Sequence, residues 1–140
     1  MRFALGLLLL STLPAFAAPV PKELRAGDAN RIAGVWMLTT AKYGLEDFDS
    51  AVGTKWTLGA DGAALRDRPN EGLGKATFKL DPRAGVKAFE WNTDEGNIFH
   101  GVYELDGERF KVLLTLKAGE RPTVCRPTEG MYCFEFRRAK

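Results

Sequence analysis

The chain has 140 residues, with 20 Lys and Arg against 18 Asp and Glu and a formal net charge of +2. The two signs are interspersed, with no basic run and no acidic tail, so charge gives no ground for nucleic acid or an anionic membrane surface as a partner. Two cysteines and one histidine fall short of a Cys/His zinc site, and no metal or cofactor is expected.

Arg2 precedes an unbroken apolar run over residues 3–10. Ser11 to Pro14 interrupt it, and Ala15-Phe16-Ala17 then gives the small-x-small pattern read by signal peptidase. The run is shorter than the roughly 20 residues that span a bilayer. Residues 1–17 therefore read as a signal peptide, cut after Ala17 or, as second choice, after Ala18. A retained membrane anchor is the competing reading. No cysteine follows the run, which excludes attachment by the bacterial lipoprotein route. Export to the periplasm or beyond is the expectation, and nothing later is apolar enough to cross a membrane.

Residues 18–30 read as a Pro-containing leader, in which Asp28 N-caps a single helical turn over residues 29–32. The remainder, 31–140, reads as one β domain. From Gly34 the pattern has period two: Trp36, Leu38 and Thr40 alternate with Val35, Met37 and Thr39. Residues 55–58 alternate, run into the turn signal Asp61-Gly62, and continue at 63–66. In residues 75–80, Ala76, Phe78 and Leu80 face one way and Lys75, Thr77 and Lys79 the other. Phe89 and Trp91 alternate with Ala88 and Glu90. Asp106-Gly107 joins the runs 98–105 and 108–116 as a hairpin. The last strand, residues 131–137, puts Tyr132, Phe134 and Phe136 on one face. No substantial helix is expected after the signal peptide. About eight or nine short strands with tight turns predict an all-β, antiparallel up-and-down barrel, filled by its side chains or holding one small ligand.

Cys125 and Cys133 flank the turn-forming residues 127–130. A hairpin near Glu129 would make them cross-strand partners, and export would permit a disulfide. The alternative is two unpaired thiols.

Gly34-Val35-Trp36, placed before a β-rich chain that ends in arginines, resembles the lipocalin start. In that superfamily the Trp packs at the closed end of the barrel against an Arg near the end of the last strand. Arg137 or Arg138 would take that place here, by cation–π attraction. Gly34, Trp36 and Arg137 are accordingly assigned structural roles. A wider likeness covers residues 31–138. At Gly34-Val35-Trp36, Lys79-Leu80-Asp81-Pro82, and the runs 101–107 and 119–123, the chain resembles a family of secreted, uncharacterised lipocalin-like domains of planctomycete bacteria. It departs from that pattern over residues 83–91. The resemblance implies a lipocalin-like barrel and carries over no activity.

Catalytic constellations do not assemble. Ser50 is the only serine after residue 17, and no Gly-x-Ser-x-Gly elbow surrounds it. His100 lies inside a strand and reads as a wall residue. Glu46, Asp47 and Asp49 share a loop, but their spacing is not that of an EF-hand. Asp94, Glu95 and Gly96 read as a turn. Gly72, Gly74 and Gly85 are turn glycines with no helix behind them to cradle phosphate. Arg121, its backbone stiffened by Pro122, reads as a structural tie to carbonyls or to a carboxylate such as Asp81. A bidentate anion clamp is the alternative. Two functions remain. One is a non-enzymatic module binding a small apolar ligand within the barrel, lined by Trp56, Leu58, Phe78, Phe89, Trp91, Phe110 and Val112. The other is a filled barrel that meets a protein partner through loops 43–53 and 66–74.

Overall fold

A computed structural model describes residues 22–82, 86–116 and 121–140, with the side chains of the first helix described from Gly27 onward. The expected signal peptide, residues 18–21 of the leader, and Gly85 and Gly119 lie outside the described residues.

The described residues form nine strands: β1 Gly34–Tyr43, β2 Glu46–Asp47, β3 Lys55–Leu58, β4 Ala63–Arg68, β5 Gly72–Asp81, β6 Ala88–Thr93, β7 Ile98–Asp106, β8 Arg109–Thr115 and β9 Tyr132–Arg138, in the order β2-β1-β3-β4-β5-β6-β7-β8-β9. All pairings are antiparallel, and β1 also pairs with β9. The sheet therefore closes into an eight-stranded lipocalin-like up-and-down barrel, with the two-residue β2 appended to β1. Closure removes the exposed sheet edges that a meander of this length would otherwise present.

The sequence alternation sets which residues point inward. Trp56 and Leu58, Phe78, Phe89 and Trp91, Phe110 and Val112, and Phe136 are all buried in one core. At β1 a bulge changes the phase. The register with β9 shifts between Leu38 and Thr40, so Ala41 rather than Thr40 continues the inner face begun by Trp36 and Leu38. Gly101 occupies an inward position on β7 for steric reasons. A Cβ there would lie 2.8 Å from Leu114 Cδ2 and would collide with the Leu113 carbonyl oxygen.

The helical start is longer than one turn. Helix α1 spans Lys22–Ile32, and Asp28 lies within it rather than at its N-cap. Its last residue, Ile32, is fully buried in the barrel core. Tertiary contacts explain the extra length: the helix covers one end of the barrel, which fixes it more firmly than its own weakly patterned sequence would.

That end is closed as the resemblance implied, by Arg138 and not Arg137. The Arg138 guanidinium sits 4.3 Å from the Trp36 ring centroid. Its Nη1 donates to the Ala33 carbonyl at 3.0 Å, and its Nη2 donates to the Arg31 carbonyl. Trp36 Nε1 donates to the Ile32 carbonyl at 2.7 Å. Gly34 is required here. Its φ is +131°, and a Cβ would stand 2.7 Å from Arg138 Nη1. Arg137 points the other way because it is one residue out of phase with Phe136, and its side chain is exposed.

The disulfide expected between Cys125 and Cys133 is not formed; both are buried free thiols. Residues 121–130 form no strand, so no hairpin brings the two into cross-strand register. Cys133 instead pairs in the ladder with Lys42 of β1 and Leu113 of β8. Cys125, Cys133, Val102 and Leu113 form a small second core on the outer wall, edged by Val86 and Met131. Burial pushes the Cys125 thiol up to about 12, and it also raises that of Cys133.

Candidate functional site

Ring contacts run from one end of the barrel to the other. Trp36 meets Phe110 at 5.7 Å, and Phe110 meets Phe136 at 5.3 Å. Phe136 lies 4.5 Å from Trp56, which stacks on Trp91 at 4.2 Å with 17° between the planes. Phe134 and Tyr132 extend this column to the open end. Each such pair adds about 0.5–1.5 kcal/mol beyond the area it buries. Most of the predicted ligand lining is therefore packed core. Leu58, Phe78, Phe89 and Val112 belong to the packed core and line none of the cavities found among the described residues, and Phe110 edges only a depression on the outer wall. The barrel is too small to bury these rings and still keep a deep chamber.

Trp56 and Trp91 do reach a cavity, at the open end. It measures about 180 Å³ and is lined by Phe48, Ala51, Trp56, Arg66, Arg68, Trp91, Phe99, Leu114, Tyr132 and Phe134. Phe48 and Ala51 come from the 3-10 turn between β2 and β3 and its approach. The other residues come from inward positions near strand ends. On β4, Ala64, Arg66 and Arg68 share the inward phase, since Arg66 pairs with Trp56 across β3. Opposite them on β5 stand Gly74 and Gly72, which place no side chain in the mouth. The sequence reading misses the two arginines because it assigns residues 66–74 to a loop, whereas β4 runs on to Arg68 and β5 begins at Gly72. Their phase with Ala64 was the available signal.

The two arginines differ in their partners. Arg68 forms an ion pair with Glu71. Arg66 donates to no acceptor among the described residues, and its Nη2 lies 3.5 Å from where a Cβ on Gly74 would be. Burial, then the charge of Arg68, lowers the Arg66 pKa, with Glu71, Glu95 and Asp94 acting in the opposite sense.

The remaining candidates are dispersed. His100 Nδ1 lies 3.8 Å from Glu90 Oε2 on the outer wall, and Ser50 is exposed in the 3-10 turn with no bond to it. Asp47 pairs with Lys42 at 3.0 Å. Arg121 is exposed and makes neither the expected tie to Asp81 nor an ion pair with another described residue. A larger depression of about 540 Å³ crosses the outer wall, where Glu104, Asp106 and Glu135 face Arg109, Lys111 and Arg137. Its charges are balanced and about half of its lining is polar, so it offers less to an apolar ligand than the aromatic mouth does. Among the described residues, no helix is long and apolar enough to cross a membrane.

Asp28, given only a capping role by the sequence, is the centre of a buried network near the closed end. It accepts from Tyr103 Oη at 2.8 Å, Lys87 Nζ at 2.8 Å and Arg31 Nη1 at 3.2 Å. No chemistry is implied, because every member is satisfied by another. Comparison with family models, with curated proteins and with solved structures finds no match.

Proposed function

We propose that the protein is an exported, non-enzymatic binding module that takes a small, largely apolar ligand at the open end of its barrel. The observation that carries this reading is the aromatic cavity of about 180 Å³ formed by Trp56, Trp91, Phe134 and their neighbours. Its volume is below the roughly 300–1,000 Å³ of drug-sized pockets. It therefore suits a small ring or chain, or the end of a longer one whose remainder stays in the mouth. Binding would proceed by burial of apolar ligand surface, at about 25 cal/mol per Å². His100 has Glu90 as its ion-pair partner and no hydrogen bond to Ser50, which supports a non-catalytic role, and the signal-peptide pattern at residues 1–17 supports export.

Titration with the neutral dye N-phenyl-1-naphthylamine tests this reading. A saturable rise in dye emission is expected, with quenching of Trp56 and Trp91. Trp36, at the other end, should keep its emission. A flat response from folded protein would defeat the proposal.

A second reading has its own support. Leu45, Leu73, Ile98 and Phe48 are 77%, 74%, 48% and 40% exposed, and all four lie at strand ends or loops of the open end. Such an apolar rim suits a protein partner. A flat dye response, together with concentration-dependent association abolished by Leu45→Ser and Leu73→Ser, would favour it.

A further inference from the structure

The open-end cavity has an apolar wall and one charged group that nothing in the barrel uses. We infer that the ligand is an amphipathic monocarboxylate, its apolar body against Trp56, Trp91 and Phe134 and its carboxylate on Arg66. This rests on the binding reading above and adds the chemical class of the ligand.

Three observations converge on Arg66. Its position on β4 is inward, because it pairs with Trp56 across β3 and with Gly74 across β5. It lines the cavity together with the aromatic residues. It also makes no hydrogen bond or ion pair with a described residue, although Glu71 is close enough to pair with Arg68 two positions away. A guanidinium is among the costlier groups to withdraw from water, and such groups are normally paired when they are partly buried. Here the pairing is left open toward a cavity. Gly72 and Gly74 on the adjoining strand β5 place no side chain beside the guanidinium, so an incoming group can reach the planar donor fork.

Charge and geometry select the ligand's head group. A guanidinium presents parallel N–H donors that match the two oxygens of a carboxylate. A cation would be repelled by Arg66 and Arg68 together. A neutral alcohol could occupy the apolar wall but would leave the charge uncompensated. A single carboxylate matches the one unpaired guanidinium, since Arg68 is already held by Glu71.

The test compares octanoate with 1-octanol on the whole exported protein, by displacement of N-phenyl-1-naphthylamine at low salt. The two probes share an eight-carbon chain and differ in the head group. Octanoate is expected to bind at least tenfold more tightly. Arg66→Gln should remove that preference while leaving octanol affinity within twofold, and Arg66→Lys should restore part of it. Octanol binding also reports whether the variant is folded. Should Arg66→Gln fail to fold, the acid-to-alcohol ratio of the unaltered protein decides alone. Equal affinity for acid and alcohol would overturn the inference and leave the binding reading standing, as would a preference that survives Arg66→Gln. Failure of dye and both probes to bind would overturn both.

Discussion

The two ends of this barrel share one column of aromatic rings, but they finish it differently. At the closed end Arg138, Trp36 and Asp28 all meet partners in the fold. Arg138 covers Trp36 and donates to the carbonyls of Arg31 in the helix and Ala33 just after it, while Asp28 accepts from Tyr103, Lys87 and Arg31. At the open end the column stops at a cavity, and Arg66 faces that cavity with no acceptor among the described residues. The difference teaches where to look for each kind of effect. Residues that satisfy one another should register in stability. Residues with unused capacity should register in binding.

Removing the keystone of the closed end should have the largest effect. Trp36 is completely buried, contacts Phe110 and carries both the Ile32 hydrogen bond and the Arg138 stack. Trp36→Ala should destabilise the protein by about 3–5 kcal/mol. That is a large share of the roughly 5–15 kcal/mol by which domains are stable. Urea unfolding followed by far-ultraviolet circular dichroism would measure it. A loss below about 1 kcal/mol would show that the closed end does not depend on this residue.

Much of this architecture was legible in the sequence, and the reasons are local. Alternation placed Trp56, Phe78, Phe89, Trp91 and Phe110 inside, because a buried barrel face imposes period two on every strand. The same alternation, continued two residues beyond Phe136, points to Arg138 over Arg137. Other features depended on distant partners. Asp28 looks like a helix cap until Tyr103 and Lys87, far along the chain, are brought against it. The bulge beyond Leu38 follows from pairing with β9 and leaves no composition signal. Cys125 reads as facing Cys133 across a turn, but residues 121–130 form no strand and Cys125 packs into the outer-wall core instead. At the candidate site, alternation identifies Trp56 and Trp91, whereas Arg66 reads as the start of a loop and lines the cavity instead. Whether an inward ring faces packed core or empty space depends on how completely its neighbours fill the barrel.

The buried network offers a second, smaller break in the closed end. Asp28→Ala would leave the buried Tyr103 hydroxyl without its acceptor, which should cost about 1–3 kcal/mol. Its pH dependence sharpens the expectation. Burial by itself would raise the Asp28 pKa, but hydrogen bonds from Lys87 and Tyr103 and the charges of Lys87 and Arg31 outweigh it and hold the group below the ordinary 3.8. A carboxyl whose folded pKa lies below its unfolded one contributes fully above the unfolded value. It loses that contribution as pH falls through the folded one. The stability gap between wild type and Asp28→Ala should therefore be constant from neutrality to about pH 5. It should then narrow as acid takes the solution below 3.8. Urea midpoints across that range would show it, and a gap that widened in acid would contradict the assigned network.

The smallest stability change is expected at the open end, where it is the most informative. Phe48 is 40% exposed and edges the cavity at the approach to the 3-10 turn. Its ring completes no buried hydrogen bond, so Phe48→Ser should move stability by no more than about 0.5 kcal/mol. A ligand in the mouth would still lose that ring as a wall. For roughly 40 Å² of contact at about 25 cal/mol per Å², the loss is about 1 kcal/mol, or roughly fivefold in affinity. Dye titration and urea unfolding of the same preparation would separate the two quantities. Weaker dye binding with an unchanged midpoint is the signature of a residue that serves a ligand. A lowered midpoint with unchanged dye binding would instead make Phe48 part of the packing, and the division between the two ends would fail at the residue where it is easiest to test.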